Sequence, residues 1–148
     1  MKKISLLLAC LLALLWVACE LNPPDYIGVW KDSTTLLVVG TTVTFDLSAD
    51  EGTITIDRPV GLDDVVVTGT LVKDGSTLTA TITKITVGTN PPVTGAALDA
   101  YLAGLGLTTV NTFTYSVVRA ALTETLTITG NLIQALTGGL TSTLTATR

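Results

Sequence analysis

Few residues of this chain could do chemistry, and their types narrow that chemistry at once. Among 148 residues there is no histidine, and there are two cysteines, Cys10 and Cys19. A zinc or haem site built on imidazole is therefore excluded, as is a Ser-His-Asp or Cys-His mechanism. Six carboxylates, Asp46, Asp50, Glu51, Asp57, Asp63 and Asp64, cluster in the sequence. A calcium loop needs alternating oxygen ligands, as in D-x-D-x-D-G, and that spacing is absent. Most of these acids fall at turn positions, where carboxylates hydrogen-bond the local backbone. Paired carboxylates can cleave a glycosidic bond. Sugar sites also want aromatic platforms, however, and after residue 18 the chain offers one tryptophan and three tyrosines. These residues point to a protein that is not an enzyme, with no metal and no cofactor.

Glu124 stands apart from the other acids. It shares the parity of Leu122, Leu126 and Ile128, which puts it on an inward face. An unpaired charge there is very costly, and Arg119, across a turn, is the available partner. The simpler alternative leaves both residues at a solvent-exposed hairpin end. Nucleic acid is not expected as a partner, because phosphate binding needs a basic stripe and the formal net charge is −4.

Cys19 is the strongest functional residue. Lys2 and Lys3 are followed by an apolar run, Ile4 to Ala18, broken only by Ser5. Fifteen residues fall short of the roughly 20 that span a bilayer as a helix, and they suit the core of a secretory signal peptide. The run closes on Leu15-Trp16-Val17-Ala18-Cys19, which resembles the lipobox of bacterial lipoproteins, with Trp16 where leucine is usual. The resemblance implies a signal peptide over 1–18, cleavage before Cys19, and a diacylglycerol thioether on its thiol with a further acyl chain, such as palmitate, on the new amino terminus. The partner is then a membrane, reached through two or three acyl chains that bind durably. Cleavage removes Lys2 and Lys3, so the basic count falls from eight to six against twelve acids, a net charge of −6 over 130 residues. Cys19 is then the only cysteine, so no internal disulfide forms. Glu20, which is not the inner-membrane-retaining aspartate, favours the outer membrane of a bacterial cell envelope.

Elements that position these residues follow from a period of two. Residues 19–25, with Pro23 and Pro24, form an anchor and a stiff spacer, and residues 26–148 form one domain. Apolar residues alternate there with threonine, of which the chain has 29. Threonine suits the wet face of a strand, since its β-branch favours extended backbone while its hydroxyl stays solvated. Only 14% of the chain is charged, against roughly 25% in an ordinary soluble domain. Strands are predicted over 28–32, 35–39, 43–48, 54–56, 65–72, 77–87, 110–118, 122–129 and 140–147, eight or nine depending on whether the first two are one bent strand. Asp74-Gly75 supplies the positive φ of a tight turn, and the apolar parity slips near Lys84, which predicts a β-bulge. Residues 95–105 place Leu98, Tyr101, Leu102 and Leu105 on one helical face, with Gly106 as the stop. Asn131 to Gln134 reads as a capping box for a short turn ended by Gly138-Gly139. The fold class is all-β: an antiparallel up-and-down barrel of about eight strands with one short helix, or alternatively a β-sandwich.

Gly28-Val29-Trp30 matches the G-x-W at the first strand of lipocalins and their calycin relatives. The turn before Thr53, the run Asp74-Gly75-Ser76-Thr77-Leu78-Thr79 and the last strand ending at Arg148 resemble the phrases of small bacterial lipocalin-like lipoproteins. That resemblance implies a barrel closed where Arg148 packs over Trp30 above Gly28. It also implies a small apolar ligand held on the inner face, contacted by Phe45, Phe113, Tyr115 and Glu124, with the helix around Tyr101 as a lid. From their pattern alone, Phe45, Phe113 and Tyr115 on the apolar face read as core filling before ligand contacts. The rival expectation is a structural or adhesive surface module whose filled core leaves function to the outside, where it binds a protein partner.

Overall fold

The computed structural model describes residues 25–32, 41–137 and 139–148. The expected signal peptide, Cys19, most of the spacer, the strand at 35–39 and Gly138 lie outside the described residues. Eight strands are formed: β1 (Gly28–Asp32), β2 (Thr42–Leu47), β3 (Glu51–Asp57), β4 (Val65–Asp74), β5 (Thr77–Val87), β6 (Val110–Ala120), β7 (Thr123–Gly130) and β8 (Thr143–Thr147). Each pairs antiparallel with the next, and β8 pairs back onto β1 to close a barrel. Sequential hairpins without a crossing make this a meander barrel, and the sandwich alternative falls with that connectivity.

Alternation does what the sequence pattern requires. In β2, Val43, Phe45 and Leu47 are buried while Thr42 and Asp46 face water. In β8, Leu144 and Ala146 are buried between half-exposed threonines. Around the outside the threonines meet in register, as at Thr127 and Thr145, and Thr129 and Thr143 share a 2.8 Å hydroxyl contact. The parity slip falls where β4 pairs with β5: Thr68 faces Lys84 but Gly69 faces Ile82, so Thr83 is the extra residue. Its hydroxyl donates to the Thr68 carbonyl at 3.2 Å. Such a bulge bends the strand and tightens the curl of the sheet.

The two barrel ends are closed differently. At one end lie the β3–β4 loop and two helices, α1 (Gly95–Gly104) and α2 (Asn131–Leu136). Helix α1 packs on β5 and buries only Leu98 and Leu102. Tyr101 and Leu105, expected on the same buried face, are exposed, because a helix resting on one strand covers a narrow stripe. Gly106 ends it with φ +72°, as the sequence requires. Helix α2 drives Leu132 and Ile133 into the barrel mouth. Its N-cap is Gly130, with no side-chain cap, so the expected capping box does not form: Asn131 is already helical. Two strand starts also shift. Leu122 belongs to the turn and is fully exposed, and the last strand begins at Thr143 because the Thr137 hydroxyl, bonded to the Thr141 carbonyl at 2.8 Å, holds residues 139–142 in a turn.

At the other end sit the hairpin turns β2–β3, β4–β5 and β6–β7, crossed by Asp25, Tyr26 and Ile27. Trp30 and Leu126 lie completely buried between the two ends. Each apolar side chain buried so fully contributes about 1.5–3 kcal/mol relative to exposure.

Candidate functional site

Two places gather the residues that the sequence singles out. The first is the barrel interior. Phe45, Ile82, Phe113 and Leu132 surround a void of about 40 Å³, bounded on one side by Gly52 and Gly69. Its lining is apolar side chains and glycine; the buried Asn111, inward on β6 like Phe113, stays out of it and donates its amide to the Thr108 carbonyl at 2.7 Å. One water needs roughly 10–15 Å³ on this measure, whereas pockets for drug-sized molecules run to roughly 300–1,000 Å³. Eight strands make a barrel just wide enough to be filled by side chains or to hold one small ligand. This one is filled nearly to the axis. Its architecture is compatible with binding an apolar ligand, within that volume.

The second place is the end crossed by the N-terminal segment. The Arg148 guanidinium lies 4.2 Å from the centre of the Trp30 ring. It also donates to the carbonyl of Ile27 and grips Glu124, its Nε–H lying 2.6 Å from a carboxylate oxygen. Gly28 makes this possible: its φ is +137°, and a Cβ there would run into the Arg148 guanidinium. Trp30 answers with its indole N–H, which donates to the Tyr26 carbonyl at 2.7 Å. Glu124 is held from the other side by Arg119, its cross-strand partner in the β6–β7 register. Hydrogen bonds from Arg119 and then from Arg148 keep the Glu124 carboxyl below the usual glutamate range.

Next to this clamp, Tyr26 and Tyr115 meet edge to face, 5.3 Å between centroids. The Lys73 ammonium stands 5.4 and 5.9 Å from the two rings and 3.3 Å from the Asp25 carboxylate. Tyr115 and then Asp25 hold the lysine above its ordinary pKa, while burial pushes the Tyr26 phenol up. The Tyr26 and Tyr115 hydroxyls donate to the carbonyls of Ala49 and Gly75, so each tyrosine ties down a hairpin turn.

The structure thus divides the expected ligand set. Phe45 and Phe113 line the void. Tyr115 and Glu124 belong to the clamped end, and Tyr101 stands exposed on α1. The acidic run is split too. Asp50 and Glu51 occupy the β2–β3 turn, whereas Asp63 and Asp64 lie in the loop at the opposite end, where Asp64 accepts the Arg58 backbone N–H at 2.8 Å.

Sequence reasoning missed the Asp25–Lys73 pair, whose partners are 48 residues apart with no local pattern to join them. It also missed an open groove of about 500 Å³ outside the barrel, between the end of α1 and α2, lined by Leu105, Leu107, Gln134 and Ala135. Comparison with protein-family models, curated proteins and solved structures finds no match. The closed antiparallel barrel of eight strands is, by its architecture, compatible with a lipocalin-like fold.

Proposed function

We propose that this chain is a membrane-anchored, non-catalytic lipoprotein of a bacterial cell envelope, a lipocalin-like barrel whose filled core leaves function to its outer surface. One contrast carries the reading: the interior void is about 40 Å³, while the groove between the helices is about 500 Å³. Leu105 on its rim and Tyr101 on the same helix are exposed apolar residues. A surface of that kind suits a protein partner better than a solvated face needs. Anchoring rests on Cys19 and the apolar run before it. The outer membrane is the expected address.

A second reading keeps a small apolar ligand inside. What favours it is the uniformly apolar lining together with Gly52, Gly69 and Ala80, three inward positions where larger side chains would leave no void. Native mass spectrometry of the protein released from the envelope separates the two. A reproducible extra mass, lost on unfolding, would establish the ligand; a clean apo mass after incubation with fatty acids and quinones would leave the outer surface. Anchoring has its own test. Cys19→Ala should abolish acyl labelling and release the protein from the membrane fraction, and persistent membrane association would refute a lipid anchor.

A further inference from the structure

The turn between β6 and β7 is built against its own stability. Ala121 takes a φ of +52°, and it is the single non-glycine at positive φ among the described residues. A two-residue hairpin turn with positive φ at its first central residue alone favours glycine there, which meets that backbone at little cost. Its neighbour Leu122 is 100% exposed. A strained alanine and a leucine wholly in water gain nothing inside the molecule. The other two turns at this end are polar, Ser48-Ala49-Asp50-Glu51 and Asp74-Gly75-Ser76. Around the Leu122 tip, Ile27, Val29 and Val118 are also exposed.

This tip stands where the chain arrives. Arg148 reaches the Asp25 carbonyl at 3.5 Å and, on its other side, bonds Glu124, two residues from Leu122. Asp25 lies six positions after Cys19, a reach of at most about 20 Å even when fully extended. We propose that the Ala121-Leu122 tip docks into the lipid bilayer that holds the chain, with Ile27, Val29 and Val118 as its apolar shoulder. The inference rests on the membrane anchoring argued above. Arg119 and Arg148 flank the tip and both pair with Glu124, which leaves this side of the tip with one net positive charge toward anionic headgroups. Docked in this way, the barrel turns its helix-capped end and the groove between α1 and α2 away from the membrane.

Burying one leucine side chain shifts a docked-to-undocked equilibrium by about tenfold or more. The test uses the acylated protein purified from the bacterial envelope and reconstituted in vesicles of phosphatidylethanolamine and phosphatidylglycerol, some carrying bromine on the upper acyl chain. Leu122→Trp places an indole at the tip, and Val60→Trp places one at an equally exposed site on the opposite end. Each spectrum is read as a difference from the unsubstituted chain. The Leu122→Trp indole should shift to the blue and lose most of its emission to the brominated lipid, while the Val60→Trp indole keeps its own. Vesicle flotation of the chain with equal quenching at the two positions would overturn docking alone. Failure of the chain to float would overturn docking and anchoring together.

Discussion

Gly69→Ala should destabilise the barrel clearly, and Gly52→Ala should not, although both glycines border the same void. An alanine Cβ at position 69 would lie 2.5 Å from the Thr81 carbonyl oxygen, 3.0 Å from its carbon and 3.1 Å from the Ile82 Cα. Ordinary contact begins near 3.4 Å, so β4 and β5 must part by about 0.9 Å. They are least able to do so here, because the Thr83 bulge sets the register and its hydroxyl bridges to Thr68. Overpacking costs about 1–3 kcal/mol, and a backbone obstacle belongs to the upper part of that range. At roughly 4 °C per kcal/mol for a domain of this size, the melting temperature should fall by roughly 8–12 °C. At position 52 the nearest atoms are the Leu71 and Leu47 methyls, at 3.0 and 3.1 Å, and both are free to turn into the void. Alanine there also lowers the entropy of the unfolded chain by about 0.4–1 kcal/mol, which offsets the adjustment. Circular dichroism melting of the two variants beside the parent gives the comparison. A Gly69→Ala shift of under about 2 °C would refute the geometry of the bulge. A Gly52→Ala loss as large as that at Gly69 would refute the void.

Two further outcomes follow from the clamped end. Trp30→Ala should cost about 3–5 kcal/mol in denaturant unfolding; a negligible change in midpoint would mean that the ring neither fills the core nor supports Arg148. Glu124 has its pKa lowered in the folded state, so its contribution is fully present above the ordinary value of 4.5 and is lost as pH falls through the lower, folded value. Glu124→Gln should therefore flatten the fall in stability below pH 4.5, and an unchanged acid limb would refute the double arginine grip.

Much of the architecture was readable because a barrel writes itself along the chain. Threonine alternation marks which side of each strand is wet, Asp74-Gly75 marks one turn, and the parity slip near Lys84 marks the bulge. What escaped reading is what depends on distant partners. No local pattern says that Lys73 will meet Asp25, or that Glu124 will be held by Arg148 as well as by its hairpin neighbour Arg119. The helix face misled for a related reason. Periodicity shows that Leu98, Tyr101, Leu102 and Leu105 share a side, but how much of that side is covered depends on the width of what lies beneath. Here that is one strand.

The filled interior is the deepest instance of the same limit. Period two tells which residues point inward without telling how far they reach. Strand number and shear set the radius of a barrel, and whether a cup remains depends on the summed bulk of inward side chains at each level. Trp30, Phe45 and Phe113 are buried in the interior, and Leu132 and Ile133 enter it from a helix that the sequence marks as no more than a short turn. Against these, Gly52, Gly69 and Ala80 recover only about 40 Å³. Since alternation in an empty barrel and in a full one reads alike, the ligand expectation could rest only on resemblance. Volume argues the other way. With so little room inside, binding energy is available chiefly at exposed apolar residues, among them Val60, Leu62, Tyr101 and Leu105 at one end and Leu122 at the other.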